Sequence, residues 1–160
     1  MKRWLIFLSL FVVLLGLSIS IVVLWKASHA FSEVRKTGEE VALQNNFLQT
    51  VDESYVYNGS TPYVTVIGND RNAQKKAVFI PQNQKETTVP SVLLKEGISE
   101  NQVKKLVQDE FPVKEILHIK LGYEAPGAIW EVTFKSANGQ LNYVYVLHQN
   151  GEWWKKILNL

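Results

Sequence analysis

The hydrophobic pattern divides the chain into an unbroken apolar run and two stretches in which helical spacing gives way to strand alternation. From Leu5 to Leu24, sixteen of twenty positions are Leu, Ile, Val or Phe, and only Ser9, Gly16, Ser18 and Ser20 interrupt them. Twenty helical residues rise about 30 Å, the thickness of a bilayer's hydrocarbon core. At about −0.3 to −0.6 kcal/mol per large apolar side chain, insertion is favourable. Trp4 and Trp25 bracket the run as interfacial anchors. A helix is expected to continue from Ala27 to about Leu48 on a thin stripe of Phe31, Val34, Val41 and Leu48. Gly38 inside it costs about 1 kcal/mol relative to alanine.

After Asp52 the period shortens to two. Tyr55 to Tyr57, Tyr63 to Ile67 and Ala77 to Ile80 read as short strands, with turns at Asn58-Gly59-Ser60 and Gly68-Asn69-Asp70. Helical spacing then returns. Ser99 is a natural N-cap, Gln102 completes a capping box, and Ile98 with Val103 hold the hydrophobic-staple positions. Val103, Leu106, Val107 and Phe111 form one face, and Pro112 stops the helix. Strands follow at Val113 to Tyr123, Ile129 to Lys135 and Leu141 to His148, with Asn138-Gly139 as a hairpin signal. In the middle strand Trp130, Val132 and Phe134 alternate with Glu131, Thr133 and Lys135, as in a sheet with one covered and one wet face. Leu141, Tyr143, Tyr145 and Leu147 repeat the alternation, so Trp130, Tyr143 and Tyr145 are expected in the core.

The order helix then three antiparallel strands occurs twice. Sliding the sequence by 67 residues sets Ala77–Asn83 on Val144–Asn150, Tyr63 on Trp130 and Ser32 on Ser99. Two units of helix on sheet give an α+β fold, each unit a helix packed on three to four antiparallel strands. Each unit is small for a core of its own, so the pair is expected to pack together. The divisions read as 1–26 for a tip and transmembrane anchor, 27–90 for the first unit and 91–160 for the second. The stretch Gln84 to Lys95 is expected to link the units and to become the first edge of the second.

Charge sharpens the orientation. The net +2 comes from Lys2 and Arg3, because from Lys26 onward 15 Lys and Arg face 15 Asp and Glu. A neutral body gives no basic patch for nucleic acid. The short basic tail before the apolar run predicts a signal anchor, with the N-terminus cytoplasmic and the body outside. A cleaved leader ending at Ser28-His29-Ala30 is the rival, but the run exceeds the usual 7 to 15 apolar residues, and Trp25 and Lys26 intervene. Absence of cysteine excludes disulfides, thiolate zinc sites and a cysteine nucleophile.

Candidate chemistry is sparse. His29, His118 and His148 lie at the membrane edge and in two different strands, without a second ligand at metal spacing. Glu131 is the one carboxylate in the middle of an apolar strand, and its parity, opposite to Trp130, reads as solvated. Catalysis would require a partner acid or a raised pKa. No phosphate loop or nucleophile elbow is present, so neither a cofactor nor a metal is expected. Trp153-Trp154 differ from the other aromatics, because neighbours in an extended chain face opposite ways. One of the two is expected at the surface beside Lys155 and Lys156, where an aromatic with cationic neighbours suits a protein partner.

Several segments together carry a family resemblance: Glu96-Gly97-Ile98-Ser99-Glu100, Ile129-Trp130-Glu131-Val132-Thr133, the hairpin Gly139, and Tyr143 to Gly151. They resemble the YpmB family, described as TseB-like cell wall elongation regulators, small single-pass proteins of Gram-positive bacteria. The likeness spans essentially the whole chain. It implies two cystatin-like, PepSY-like units and a non-enzymatic accessory protein that works with a penicillin-binding transpeptidase outside the membrane. Leu147 and Asn150 depart from the Asp and Thr usual at PepSY strand ends. The alternative implied by PepSY character is an inhibitor or chaperone of an extracytoplasmic peptidase or autolysin.

Overall fold

The computed structural model describes residues 2–82 and 89–160, and of residues 27–31 the backbone alone. The side chains of His29 and Phe31, those of the Ser28-His29-Ala30 site, and residues 84–88 of the expected linker lie outside the described residues. Helix α1 runs unbroken from Lys2 to Gln44. Its first part, Lys2–Lys26, has a mean hydropathy of 2.9 and is 0% buried, so it is apolar around its whole circumference. Such a helix needs an apolar surrounding rather than a core stripe. Its C-terminal end is a Schellman motif. The Phe47 N–H donates to the Ala42 carbonyl (2.9 Å), the Asn46 N–H to Leu43 (3.0 Å), and Asn46 takes φ 57°. Phe47 then packs against the core beside Ala42.

Four strands follow α1: β1 (Thr50–Asn58), β2 (Pro62–Asn69), β3 (Lys75–Pro81) and β4 (Ser91–Leu93), antiparallel in that order. Helix α1 covers one face, where Ala42 and Leu48 meet Val64, Val66, Val78 and Ile80. Gly38 makes this possible: a Cβ there would lie 2.7 Å from Val64 Cγ1. The expected apolar stripe on the helix therefore missed its most intimate contact, which a glycine makes because it has no side chain. The turn after β2 is built by Asp70, whose carboxylate accepts from the Asn72 and Gln74 N–H groups (2.8 and 2.9 Å).

The second unit begins with α2 (Glu100–Glu110), whose Ser99–Gln102 capping box forms as the sequence predicts. Strands β5 (Val113–Glu124), β6 (Gly127–Ser136), β7 (Leu141–Leu147) and β8 (Trp153–Ile157) make a second antiparallel sheet in chain order. Val103 and Val107 of α2 pack on Trp130, Val132, Phe134, Val144 and Val146.

Three expectations need correction. Ser91–Leu93 pairs with β3 (Ala77 opposite Val92), so this stretch completes the first sheet instead of opening the second. The repeat is real in element order, but the helix-covered residues Val64, Val66, Val78 and Ile80 correspond to Trp130, Val132, Val144 and Val146. That is one residue short of the 67-residue spacing, which had aligned opposite faces. On β7 the buried residues are Asn142, Val144 and Val146, and Tyr143 and Tyr145 lie on the other side. The β6–β7 hairpin is the cause. A two-residue Asn138-Gly139 turn would pair Val132 with Tyr145, whereas the loop holds three residues, Ala137 to Gly139. The Ser136 N–H donates to Gln140, the Gly139 N–H donates to Ser136, and Gly139 takes φ 84°. Val132 therefore pairs with Val144, and the one-residue slip moves every β7 side chain to the opposite face.

The units share one core. Tyr63, Ile67, Ala77 and Phe79, on the face of the first sheet away from α1, join the cluster around Trp130 and Val132. Tyr123 lies between them, with ring centroids 6.0 Å from Tyr63 and 5.4 Å from Phe79. Edge strand β5 crosses this face, and its outward backbone groups find partners there. The Leu121 N–H donates to the Tyr55 hydroxyl (2.8 Å), and the Leu121 carbonyl accepts from Thr65 Oγ1 (2.9 Å) and Tyr55 (3.2 Å). An edge whose polar groups are satisfied by another sheet is closed to stray pairing. Glu124 fastens the same junction, accepting from the Ser60 N–H (3.0 Å) and the Tyr57 hydroxyl (3.2 Å). Burial raises the pKa of both Tyr55 and Tyr57 above the ordinary phenol range, so both stay protonated donors.

Candidate functional site

The face of the second sheet opposite α2 has no layer of the second unit over it, and its side chains fall in rows set by strand register. One row reads Lys120, Glu131, Tyr145, Lys155 across β5 to β8, and the next reads His118, Thr133, Tyr143, Ile157. Cations thus flank one carboxylate and one phenol in the first row. Trp154 closes it, its ring edge-on to Tyr145 at 5.9 Å and 81°. Lys155 Nζ lies 5.7 Å from the Tyr145 ring centroid.

The two adjacent tryptophans part company as the extended chain requires. Trp153 is half-buried, edge-on to Phe111 at 5.5 Å, with Lys156 Nζ 4.4 Å from its ring centroid. Lys156 also pairs with Glu110 at 3.2 Å, which ties β8 to the end of α2. Trp154 is 37% exposed on the open face. A bulge where β8 meets β7 between Tyr145 and Val146 turns it there beside Lys155.

Glu131 is not the solvated carboxylate expected from parity alone. Its side chain is 15% exposed, and its Oε1 lies 3.3 Å from His118 Nε2. Desolvation and the nearby Glu131 push the Tyr145 phenol up to about 12. Thr133 Oγ1 also meets His118 Nε2, at 2.8 Å. Threonine, histidine and glutamate here invite comparison with a nucleophile–base–acid triad. The geometry denies it, because hydroxyl and carboxylate converge on one ring nitrogen, whereas a relay needs one at each nitrogen. Among the described residues no group of three or more His, Asp or Glu is placed to hold a metal.

His148 sits on the opposite, α2-facing side, 3% exposed, and its Nε2 is buried without a hydrogen-bond partner. Burial holds its imidazole below the usual histidine range, against the opposing pull of the Leu94 carbonyl and Glu96. Sequence reasoning treated it as an ordinary strand histidine. The signal it missed was β7 register, which turns even-numbered residues inward.

The comparisons with known proteins agree with this architecture. A family model described as "Cell wall elongation regulator TseB-like domain" matches residues 37–81. A "Probable cell wall elongation regulator TseB" from Bacillus subtilis (strain 168) is 30% identical over 154 residues, covering 92% of this chain and 95% of that protein. The chain belongs to the TseB-like family. A solved structure, "YpmB protein from Bacillus subtilis", superposes with a TM-score of 0.69 at 30% identity, over 76% of this chain and 94% of that one. Residues 37–81 of the TseB-like match run from the end of α1 through β3. The open face of the second sheet therefore lies outside the matched domain.

Proposed function

We propose that the protein is a membrane-anchored, extracytoplasmic, non-enzymatic binding module that regulates peptidoglycan elongation by contacting a penicillin-binding transpeptidase. The observation that carries this reading is the open face of the second sheet, where Trp154, Tyr143 and Tyr145 are interleaved with Lys120, Glu131 and Lys155. Trp and Tyr are the side chains most enriched in binding hot spots. The apolar part of α1 anchors the body, and Lys2 and Arg3 keep the N-terminal tip in the cytoplasm. α1 continues without a break from that segment into the body, which ties the body to the membrane, where a membrane-bound synthase works. The regulator name carried by the Bacillus relative supports the same direction.

The test is site-specific photo-crosslinking in cells with the probe at Trp154. Recovery of a penicillin-binding protein is expected. Failure to recover one, under conditions that trap a known membrane complex in the same cells, sinks the reading.

A further inference from the structure

The chain holds three Asn-Gly pairs, Asn58-Gly59, Asn138-Gly139 and Asn150-Gly151. An asparagine before glycine is open to attack on its own side chain, because the next backbone nitrogen can reach the amide carbon and glycine puts no side chain in the way. All three asparagines are exposed, so burial does not rank them. Hydrogen bonding does.

Two of the pairs are held at both reacting groups. The Gly139 N–H donates to the Ser136 carbonyl (2.8 Å), Asn138 Oδ1 accepts from Ser136 Oγ (2.6 Å), and Asn138 Nδ2 donates to Gln140 Oε1. The Gly151 N–H donates to the Leu147 carbonyl (2.9 Å), and Asn150 Oδ1 accepts from the Glu152 N–H (3.1 Å). Attack needs the nitrogen to give up its proton and the side chain to turn toward it, so these bonds must break first. Among the described residues neither the Gly59 N–H nor the Asn58 side chain makes such a bond. Across the hairpin Asn58 faces Pro62, which has no N–H to give to the Asn58 carbonyl. The peptide plane between Asn58 and Gly59 is therefore tied to β2 at neither end.

Gly59 also lies against the bonds that join the two units. A Cβ there would run into Glu124 Oε1 and the Tyr57 ring. Glu124 is 8% exposed and accepts from the Ser60 N–H (3.0 Å) and the Tyr57 hydroxyl (3.2 Å).

We propose that Asn58 is a self-modification site whose conversion loosens the junction between the units. The Gly59 nitrogen bonds to Asn58 Cγ, the Cγ–Nδ2 bond breaks, and the Gly59 proton leaves with Nδ2 as ammonia. Water then opens the cyclic imide at either carbonyl, leaving aspartate or isoaspartate. Both products bring a new carboxylate close to the buried Glu124, and isoaspartate adds a backbone carbon just ahead of Gly59, where the chain has no room. With ammonia lost to solvent the change runs one way, so it marks the age of each molecule.

The experiment incubates the full chain in lipid nanodiscs in mildly alkaline buffer and follows each asparagine by peptide mapping, with fragmentation that separates aspartate from isoaspartate. Asn58 is expected to convert faster than Asn138 and Asn150 by about fivefold or more, the factor that one retained hydrogen bond supplies. Molecules converted at Asn58, separated from intact ones by ion exchange, are expected to unfold at a lower denaturant concentration. Asn58→Gln, whose longer side chain closes the ring far more slowly, is expected to remove the fast phase and to keep its midpoint through the same incubation. That side chain is exposed, so the variant is expected to fold as the wild type does. Conversion of Asn138 or Asn150 first, or of all three at one rate, overturns the site. An unchanged midpoint in the converted molecules, or an equal fall in incubated Asn58→Gln, overturns the link to the junction.

Discussion

The two units share an order of elements and differ in how many faces of their sheets they bury. The first sheet is covered twice, by α1 on Val64 and Val66 and by the second unit on Tyr63 and Phe79. The second sheet is covered by α2 on one face and keeps Tyr143, Tyr145 and Glu131 on the other. Burial on both faces explains why β2 is buried continuously from Tyr63 to Gly68, while β7 alternates strictly. The first unit is therefore a support that joins the helix to the second, and the second keeps one sheet face that no element of its own covers. Duplication of a unit yields a new surface only when one copy does not need it for stability.

The largest test of this comparison is Phe79→Ala. Phe79 is 0% exposed at the shared core, and its loss is expected to cost about 3–5 kcal/mol. Because the cluster spans both units, wild-type denaturant unfolding is expected as one cooperative transition. Two resolved transitions would show that the units are independent bodies. Gly38→Ala is next. A methyl 2.7 Å from Val64 must push α1 off its sheet, with an expected loss of about 1–3 kcal/mol in the same measurement. The added helix propensity of alanine, about 1 kcal/mol, does not offset it.

The sequence revealed elements better than faces. The Ser99 cap, the Pro112 stop and the apolar run were legible because each rests on local chemistry. For β4 an edge was expected but its sheet was not legible, since three residues after a long connection show no period and only pairing with β3 places them. The open face was half legible: the alternation on β6 placed Glu131 and Thr133 there. Tyr143 and Tyr145 were assigned to the core because loop length, a matter of one residue between Ser136 and Gln140, decides register and no hydrophobic count senses it. The partial burial of Glu131 was illegible for a related reason. Its contacts come from other strands, with His118 on β5, whose two bulges shift its pairing with β6, and Tyr145 on β7 beside it.

A smaller effect belongs to His148. His148 is buried and its folded-state pKa lies below the ordinary 6.5, so the unfolded chain binds the proton more readily. The stability it contributes is full above pH 6.5 and is lost as pH falls below that value. One proton limits the slope to about 1.4 kcal/mol per pH unit. Denaturant midpoints measured downward from pH 7.5 should fall below pH 6.5 in the wild type and flatten in His148→Gln. An unchanged slope in the variant would move the acid sensitivity elsewhere.

The smallest stability change is expected to accompany the largest functional one. Trp153 and Trp154 are adjacent and chemically identical, so the pair is an internal control for the difference between a covered and an open face. Trp153→Ala removes a ring held by Phe111 and Lys156 and loosens β8 from α2, at an expected cost of about 2 kcal/mol. Trp154→Ala removes an edge contact with Tyr145 from a partly exposed side chain, and less than about 1 kcal/mol should be lost. If the open face holds the partner, quantitative co-purification of the penicillin-binding protein should drop severalfold in Trp154→Ala at equal protein level. In Trp153→Ala it should drop only as far as stability does. A reversed order would place the contact on the α2 side of β8, and equal, small effects would detach the partner from this strand altogether.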